Sequence, residues 1–275
     1  MRYEASHLNF RRILSDELRS MLRAIAKACP IGTVLTDNRH FEEWMVDFVY
    51  TSAKIEGNTY DRVDTDNLLR LGITAGSKRY SDAKMIVNLR EAFSLVMQSD
   101  AKTELNEDYL CELHKVLMTE LLPPSQQGLV RTEAVTIGAS SYRPLSSPIR
   151  LKEELKALFA ENEKYTDPFE RAIHLHCNLA YLQFFHDGNK RSARLMQTAA
   201  LVQSGISPLF FKDILIDQYQ RATVSYYETG NYELYVNFFT KNYTIVAAQM
   251  LGEEEVEFAT RIQNASCSKG PAGPG

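Results

Sequence analysis

Residues Gln183-Phe184-Phe185-His186-Asp187-Gly188-Asn189-Lys190-Arg191-Ser192-Ala193-Arg194 join the end of one helical pattern to the start of the next through a small acidic turn. Upstream, Phe169, Ala172, Ile173, His176, Leu179, Ala180 and Gln183 recur at helical spacing, so a helix from about Asp167 to Phe184 places Gln183 inward at its end, with its amide toward the turn. Downstream, a helix from Asn189 to about Gln203 is expected. The turn between them has the chemistry of a phosphate cradle. Asp187 offers a hard oxygen ligand, and Gly188 lets the backbone approach an anion closely. Asn189 can cap the following helix, whose free N–H groups and dipole attract negative charge. Arg191 and Arg194 are three positions apart, so both guanidinium groups can reach one polyphosphate.

Helical spacing dominates the rest of the chain, no internal repeat recurs at a fixed period, and the expected fold class is all-α. Phe10, Ile13, Leu14, Leu18 and Leu22 predict a first helix that Cys29-Pro30-Ile31-Gly32 breaks. Further helices are expected over about Phe41–Ile55, Asp64–Leu71, Ser81–Gln98 and Asn106–Leu121, then through Leu151, Leu155 and Leu158, and near Ile214–Tyr227 and Tyr232–Met250. One segment differs in character. Val135-Thr136-Ile137-Gly138 sets β-branched residues beside a turn-former, and Tyr142-Arg143-Pro144 follows as a second extended piece, which predicts a short β-hairpin. The expected organisation is an N-terminal helical region at 1–100, a core at 101–250 and a largely disordered tail at 251–275, rich in Ser, Gly and Pro from Asn264.

With 275 residues and 44% hydrophobic content the chain can bury a sizeable core. Its formal charge of −4 and pI near 5.9 give no overall basic field, which argues against broad nucleic-acid binding and makes the motif's cations local tools. Cys29, Cys111, Cys177 and Cys267 are scattered without the close pairs of a zinc or redox motif. No apolar stretch is long enough for a bilayer, and the first residues lack the apolar core of a secretion signal, so a cytoplasmic protein without membrane contact is expected.

The Asp187–Arg194 run resembles the signature of the Fic (Fido) family, usually written His-Pro-Phe-x-Asp/Glu-Gly-Asn-Gly-Arg-x-x-Arg. Phe185, Asp187, Gly188, Asn189, Arg191 and Arg194 agree at the right spacing, while Phe184 replaces Pro and Lys190 replaces Gly. Gln183 stands at the place of the catalytic histidine. The resemblance implies a Fic helical fold with a short β-hairpin flap. It also implies transfer of AMP from ATP, with magnesium, to a Ser, Thr or Tyr hydroxyl of a target protein. In that scheme Asp187 holds the metal, and Gly188, Asn189, Lys190, Arg191 and Arg194 hold the nucleotide. A carboxamide has no useful basicity near neutral pH, whereas a positioned general base contributes about 10²–10⁴-fold, so weak activity is expected. His186 is the rescue candidate in the turn; His176 and His174 read as hydrogen-bonded core histidines.

The likeness extends beyond the motif. Ser52-Ala-Lys-Ile-Glu56-Gly57 resembles the family's inhibitory helix, which implies that Glu56 pairs with Arg194 and competes with the γ-phosphate. The Thr136-Ile137-Gly138 stretch resembles the flap that holds a target segment by strand addition. Tyr226 and Tyr227 resemble the paired tyrosines near the adenine pocket, and no winged-helix DNA-binding module is expected after the core. The resemblance is compatible with a homo-oligomer, although no residue here identifies a contact surface. Three readings stay open at this point: an autoinhibited AMP-transfer protein, a non-catalytic nucleotide-responsive interaction protein, and another transfer reaction in the same pocket.

Overall fold

The computed structural model describes residues 1–35, 38–100, 102–138 and 140–267. Helices α1 (Asp16–Ala28), α2 (Ile31–Leu35), α3 (Asn38–Ile55), α4 (Arg62–Leu71), α5 (Tyr80–Met97) and α6 (Glu107–Leu117) precede the long loop at 118–147. After it come α7 (Pro148–Asn162), α8 (Pro168–Leu182), α9 (Asn189–Gln203), α10 (Ile216–Thr229), α11 (Glu233–Leu251) and α12 (Glu255–Cys267). The expected all-α class holds, and no helix among the described residues is long and apolar enough to cross a membrane.

The starts of α1, α4, α6, α7 and α8 follow from short polar side chains that satisfy first-turn N–H groups. Asp167 accepts from Phe169 N and Glu170 N at 3.0 and 3.2 Å, with Pro168 in the first turn of α8. Asp61, Asn106 and Ser147 do the same for α4, α6 and α7. Ser15 accepts from Leu18 N, so α1 begins at Asp16 and the expected helix from Phe10 is corrected. Phe10 to Leu14 instead form a strap held by side chains from distant helices: Glu161 takes Phe10 N, and Glu170 Oε1 takes Ile13 N and Leu14 N at 2.8 and 2.9 Å.

Helices α8 and α9 fold back on each other and form the centre of the core, nearly every side chain of α8 from Phe169 to Leu182 being buried. Around α9 stand α5 and α6, and α3 packs across α5 and α10. On the far side α1, α11 and α12 form a second layer. Phe258 and Ile262 of α12 are buried, so the expected disordered tail from 251 is corrected as far as Cys267. Residues 268–275 lie outside the described part.

The expected hairpin is also corrected. Among the described residues no strand ladder forms; the backbone at 130–138 and 140–144 is irregular, Ser140 N bonds Ile137 O, and isolated bridges occur at Arg2–Arg143 and Pro30–Ile206. The reason lies in where the loop's polar groups go: Tyr142 OH donates to Tyr181 O, and Ser140 and Ser141 bond Glu228, so the segment pairs with α8 and α10 rather than with itself.

Candidate functional site

The loop at 183–188 crosses from α8 to α9 in two left-handed steps, Gln183 at φ 51° and Gly188 at φ 76°. A side chain at 188 would be strained and would place its Cβ 2.9 Å from Met118 Sδ and 3.4 Å from the His114 ring, so glycine is required there. Gly188 is the residue that enters α9, whose first turn has no side-chain cap. The expected capping role of Asn189 is therefore corrected. Its Oδ1 accepts from Phe185 N at 2.8 Å and its Nδ2 donates to Phe185 O at 2.9 Å, which braces the loop from inside and leaves the N–H groups of α9 without a competing side chain.

Gln183 ends α8 facing this loop. Its Nε2 donates to Ala180 O at 2.7 Å, and its Oε1 accepts from Asn189 Nδ2 at 3.3 Å. The amide thus faces the loop, but from a left-handed residue just past the end of α8 at Leu182 and not from the helix that was expected to run to Phe184. His176, two turns earlier along the same face, is buried, with Nε2 3.1 Å from Tyr219 OH; burial, aided by Arg194 and Lys190, pushes its pKa well below the ordinary range and keeps it neutral. His174 bonds Asn162 and Leu8 O inside the core. His186 is half-buried in the loop.

Asp187 is exposed and accepts from Arg191 Nη2 at 2.8 Å and from Gly188 N at 2.6 Å. Partial desolvation opposes its charge, but Arg191 and the Gly188 N–H outweigh it and hold the carboxyl below the usual range. Arg191 is 2% exposed, and its Nε and Nη1 have no hydrogen-bond partner. Arg194, 1% exposed, donates to Tyr219 OH at 3.2 Å, Ser52 O at 3.2 Å and Glu56 Oε1 at 3.1 Å, with its Nε unpartnered. Lys190 Nζ stands 3.5 Å from Glu56 Oε2. Burial would raise the Glu56 carboxyl, but Arg194, Lys190 and Arg191 together pull it below its ordinary value. Ser52 is buried in α3 beneath this pair, and its Oγ has no partner.

Thus Gln183, Asp187, Gly188, Asn189, Lys190, Arg191, Arg194, Ser52 and Glu56 converge. Thr136 and Gly138 are exposed and Ile137 half-buried on the 130–144 loop. Tyr226 belongs to the core: it is fully buried, and its hydroxyl bonds Asn178 Oδ1 at 2.6 Å and also meets Tyr232.

Two contributors were not read from the sequence. His114 stacks on Phe185 with ring centroids 3.6 Å apart, accepts from Gly128 N at Nδ1 and, with its proton therefore on Nε2, donates to Asp187 O at 2.9 Å. Its signal was a polar residue inside the apolar stripe Leu110, Leu113, Leu117. Arg131 is fully buried and donates from Nε to Gln183 O at 2.6 Å. It sits in a loop with no periodicity to mark it.

Comparison with known proteins agrees with this geometry. Residues 104–201, from before α6 into the last turn of α9, match the profile of the Fic/DOC family. The chain is 28% identical over 169 residues to protein adenylyltransferase fic-1 of Caenorhabditis elegans, covering 59% of this chain and 32% of that protein. It is 27% identical over 203 residues to protein adenylyltransferase Fic of Nematostella vectensis, covering 72% and 45%. The chain therefore spans between about a third and a half of the length of these relatives. A Fic family protein from Desulfovibrio desulfuricans superposes with a TM-score of 0.75 at 18% identity, over 88% of this chain and 76% of that one, which establishes the shared fold. Residues 104–201 of the chain accordingly form a Fic/DOC family domain.

Proposed function

We propose that the loop between α8 and α9 binds the phosphates of ATP, and that the protein is an autoinhibited relative of the protein adenylyltransferases whose AMP transfer to a target hydroxyl is weak. The observation that carries the reading is Arg191: a guanidinium 2% exposed with Nε and Nη1 unpartnered, at the uncapped start of a helix. Asp187 holds Nη2, and the two remaining buried donors are expensive unless a further acceptor completes them. A phosphate supplies that acceptor, and the first N–H groups of α9 add their dipole.

The residues also fit a magnesium ion. Magnesium is commonly held by one or two carboxylates together with substrate phosphates, and among the described residues no cluster of three His, Cys, Asp or Glu side chains offers an all-protein metal cage. Asp187, ionised and at the surface of the cradle, is the carboxylate that would hold it. The ion, when bound, would neutralise charge on the phosphate oxygens. Lys190, Arg191 and Arg194 would bind the remaining phosphate charge, and Gly188 would allow the backbone to approach.

Glu56 restrains the site in this reading. Its two carboxylate oxygens occupy Arg194 and Lys190, so a terminal phosphate gains those cations only by displacing it. Gln183 cannot take a proton from a target hydroxyl, and its amide is committed to Ala180 O and Asn189. That commitment favours a second reading, a non-catalytic nucleotide-responsive interaction protein in which ATP displaces Glu56 and alters partner contacts. The flap residues Thr136, Ile137 and Gly138 would receive the target segment by main-chain pairing.

Incubation with labelled ATP and magnesium separates the two. The chain, Glu56→Gly, Gln183→His and the double variant are compared for protein-bound label. Strong labelling only after histidine is restored and Glu56 removed supports a cradle that is competent apart from its base. Labelling by the unaltered chain or by Glu56→Gly alone would overturn the assignment of weak activity to Gln183, and absence of ATP binding to every variant in calorimetry would overturn the nucleotide reading.

A further inference from the structure

We infer that the 130–145 loop is the C-terminal cap of α8 and that Arg131 is its positioning residue, fixing the backbone at position 183 from the flap side. A helix leaves its last carbonyls without internal partners. Here the flap loop supplies several of the missing donors: Tyr142 OH to Tyr181 O at 2.9 Å, Arg131 Nε to Gln183 O at 2.6 Å, and Arg131 N to Phe184 O at 3.0 Å. The guanidinium's other two nitrogens turn back on its own loop, Nη1 to Glu133 O at 2.6 Å and Nη2 to Leu145 O. One fully buried cation therefore gathers the two ends of the flap and the end of α8, with Nε, Nη1 and Nη2 each donating to a main-chain carbonyl.

That arrangement explains the backbone at Gln183. A non-glycine residue at φ 51°, ψ 54° persists only where its surroundings over-determine it. The bond from Arg131 to the carbonyl of that residue, together with the Tyr142 bond to Tyr181 O, provides the constraint. Because the side chain at 183 reaches Asn189 from this conformation, its aim into the cradle is set by residues of the flap. A flap segment that moved on taking a partner would carry the residue at 183 with it, whatever side chain that residue bears. Lysine is a poor substitute at 131, since a single ammonium does not reproduce three nitrogens fixed in a plane.

The test reads conformation and stability in the full chain, so its result does not depend on whether nucleotide binds. Amide hydrogen exchange is followed in Arg131→Lys, Arg131→Met and Tyr142→Phe. In the Arg131 variants exchange is expected to quicken together in residues 132–146 and 183–188, by about tenfold or more, while α1 and α11 keep their protection. Arg131→Lys should show the smaller change. Because Arg131→Met could fail to fold, a denaturant cycle joins Arg131→Lys to Gln183→Gly. Glycine adopts the left-handed turn without help, so the penalty of Arg131→Lys should shrink several-fold in the unfolding constant when position 183 is glycine. Additive effects, or faster exchange confined to 132–146 with the 183–188 loop unchanged, would overturn the inference.

Discussion

Glu56 Oε1 lies 3.1 Å from Arg194 Nη2 while Oε2 faces Lys190 Nζ at 3.5 Å, so one carboxylate from α3 bridges two cations of α9. The family's usual glycine at position 190 could make no such second contact; the lysine of this chain turns a single ion pair into a two-cation bridge. Arg194 is nearly without solvent exposure and Glu56 retains a little, so the pair is shielded rather than a surface ion pair of negligible worth.

Removing the bridge should change affinity and stability in opposite directions. Glu56→Gly frees Arg194 and Lys190 for a phosphate, and ATP affinity in calorimetry should rise by about tenfold or more, the worth of a charge-assisted hydrogen bond. The same change leaves the Arg194 guanidinium buried without its carboxylate and should cost roughly 3 kcal/mol of unfolding free energy without ligand. ATP should restore stability through binding linkage. Unchanged affinity would remove Glu56 from any competition with nucleotide.

Arg194→Ala makes the converse case. It deletes the partner of Glu56, the bond to Ser52 O and the bond to Tyr219 OH, and it takes a cation from the cradle. ATP affinity should fall by about 10- to 100-fold, and a dissociation constant equal to that of the unaltered chain would contradict the phosphate assignment.

Gly188→Ala tests the loop without touching a charge. A left-handed residue bearing a Cβ costs about 1 kcal/mol by itself, and the clash with Met118 Sδ at 2.9 Å adds to it. A stability loss of roughly 2 kcal/mol in urea, accompanied by weaker ATP binding, is expected. A fully stable Gly188→Ala protein with intact binding would show that the loop can relax.

Acid should weaken the fold through buried histidines. Burial pushes His114 and His174 down to about 4, so between their unfolded value of 6.5 and that pH the unfolded chain binds protons that the folded chain refuses. Stability is therefore full above 6.5 and declines as the pH falls toward 4. The bridge responds lower still: the Glu56 pKa is depressed below 4.5, so its contribution persists above that value and is lost as the pH drops through its folded pKa. Urea midpoints measured from pH 7.5 to 4 should fall as the solution is acidified, and a flat profile would contradict the neutral, buried state of these histidines.

The strap before α1 offers a stability test far from the cradle. Glu170 Oε1 accepts two main-chain N–H groups, from Ile13 and Leu14, and Oε2 meets Arg19 at 3.1 Å. Glu170→Ala should cost about 2–4 kcal/mol, since it leaves donors unpaired at a buried site, and limited proteolysis should then cut the 9–15 segment first. Resistance equal to that of the unaltered chain would show that the strap is held by its apolar contacts instead.

What the chain alone determined was local. The Asp-Gly-Asn run, the apolar stripes with helical period and the caps at Asp167 and Ser147 set where helices meet loops, because these depend on neighbours a few residues apart. Gln183 at the end of α8 and Glu56 at the end of α3 were legible for the same reason, each lying in a pattern that a short window contains. The first helix was misplaced because Phe10, Ile13 and Leu14 have helical spacing, yet their N–H groups are taken by acidic side chains about 150 residues away. The hairpin failed likewise: its β-branched residues carried the right propensity, but Tyr142, Arg131 and Ser140 found better partners on α8 and α10. Only the tertiary structure decided that Lys190 joins Arg194 on Glu56, that His114 holds the Asp187 carbonyl, and that Arg131 caps α8. Each is a hydrogen bond or ion pair between segments remote in sequence, and such pairings are created by packing, which no local pattern encodes.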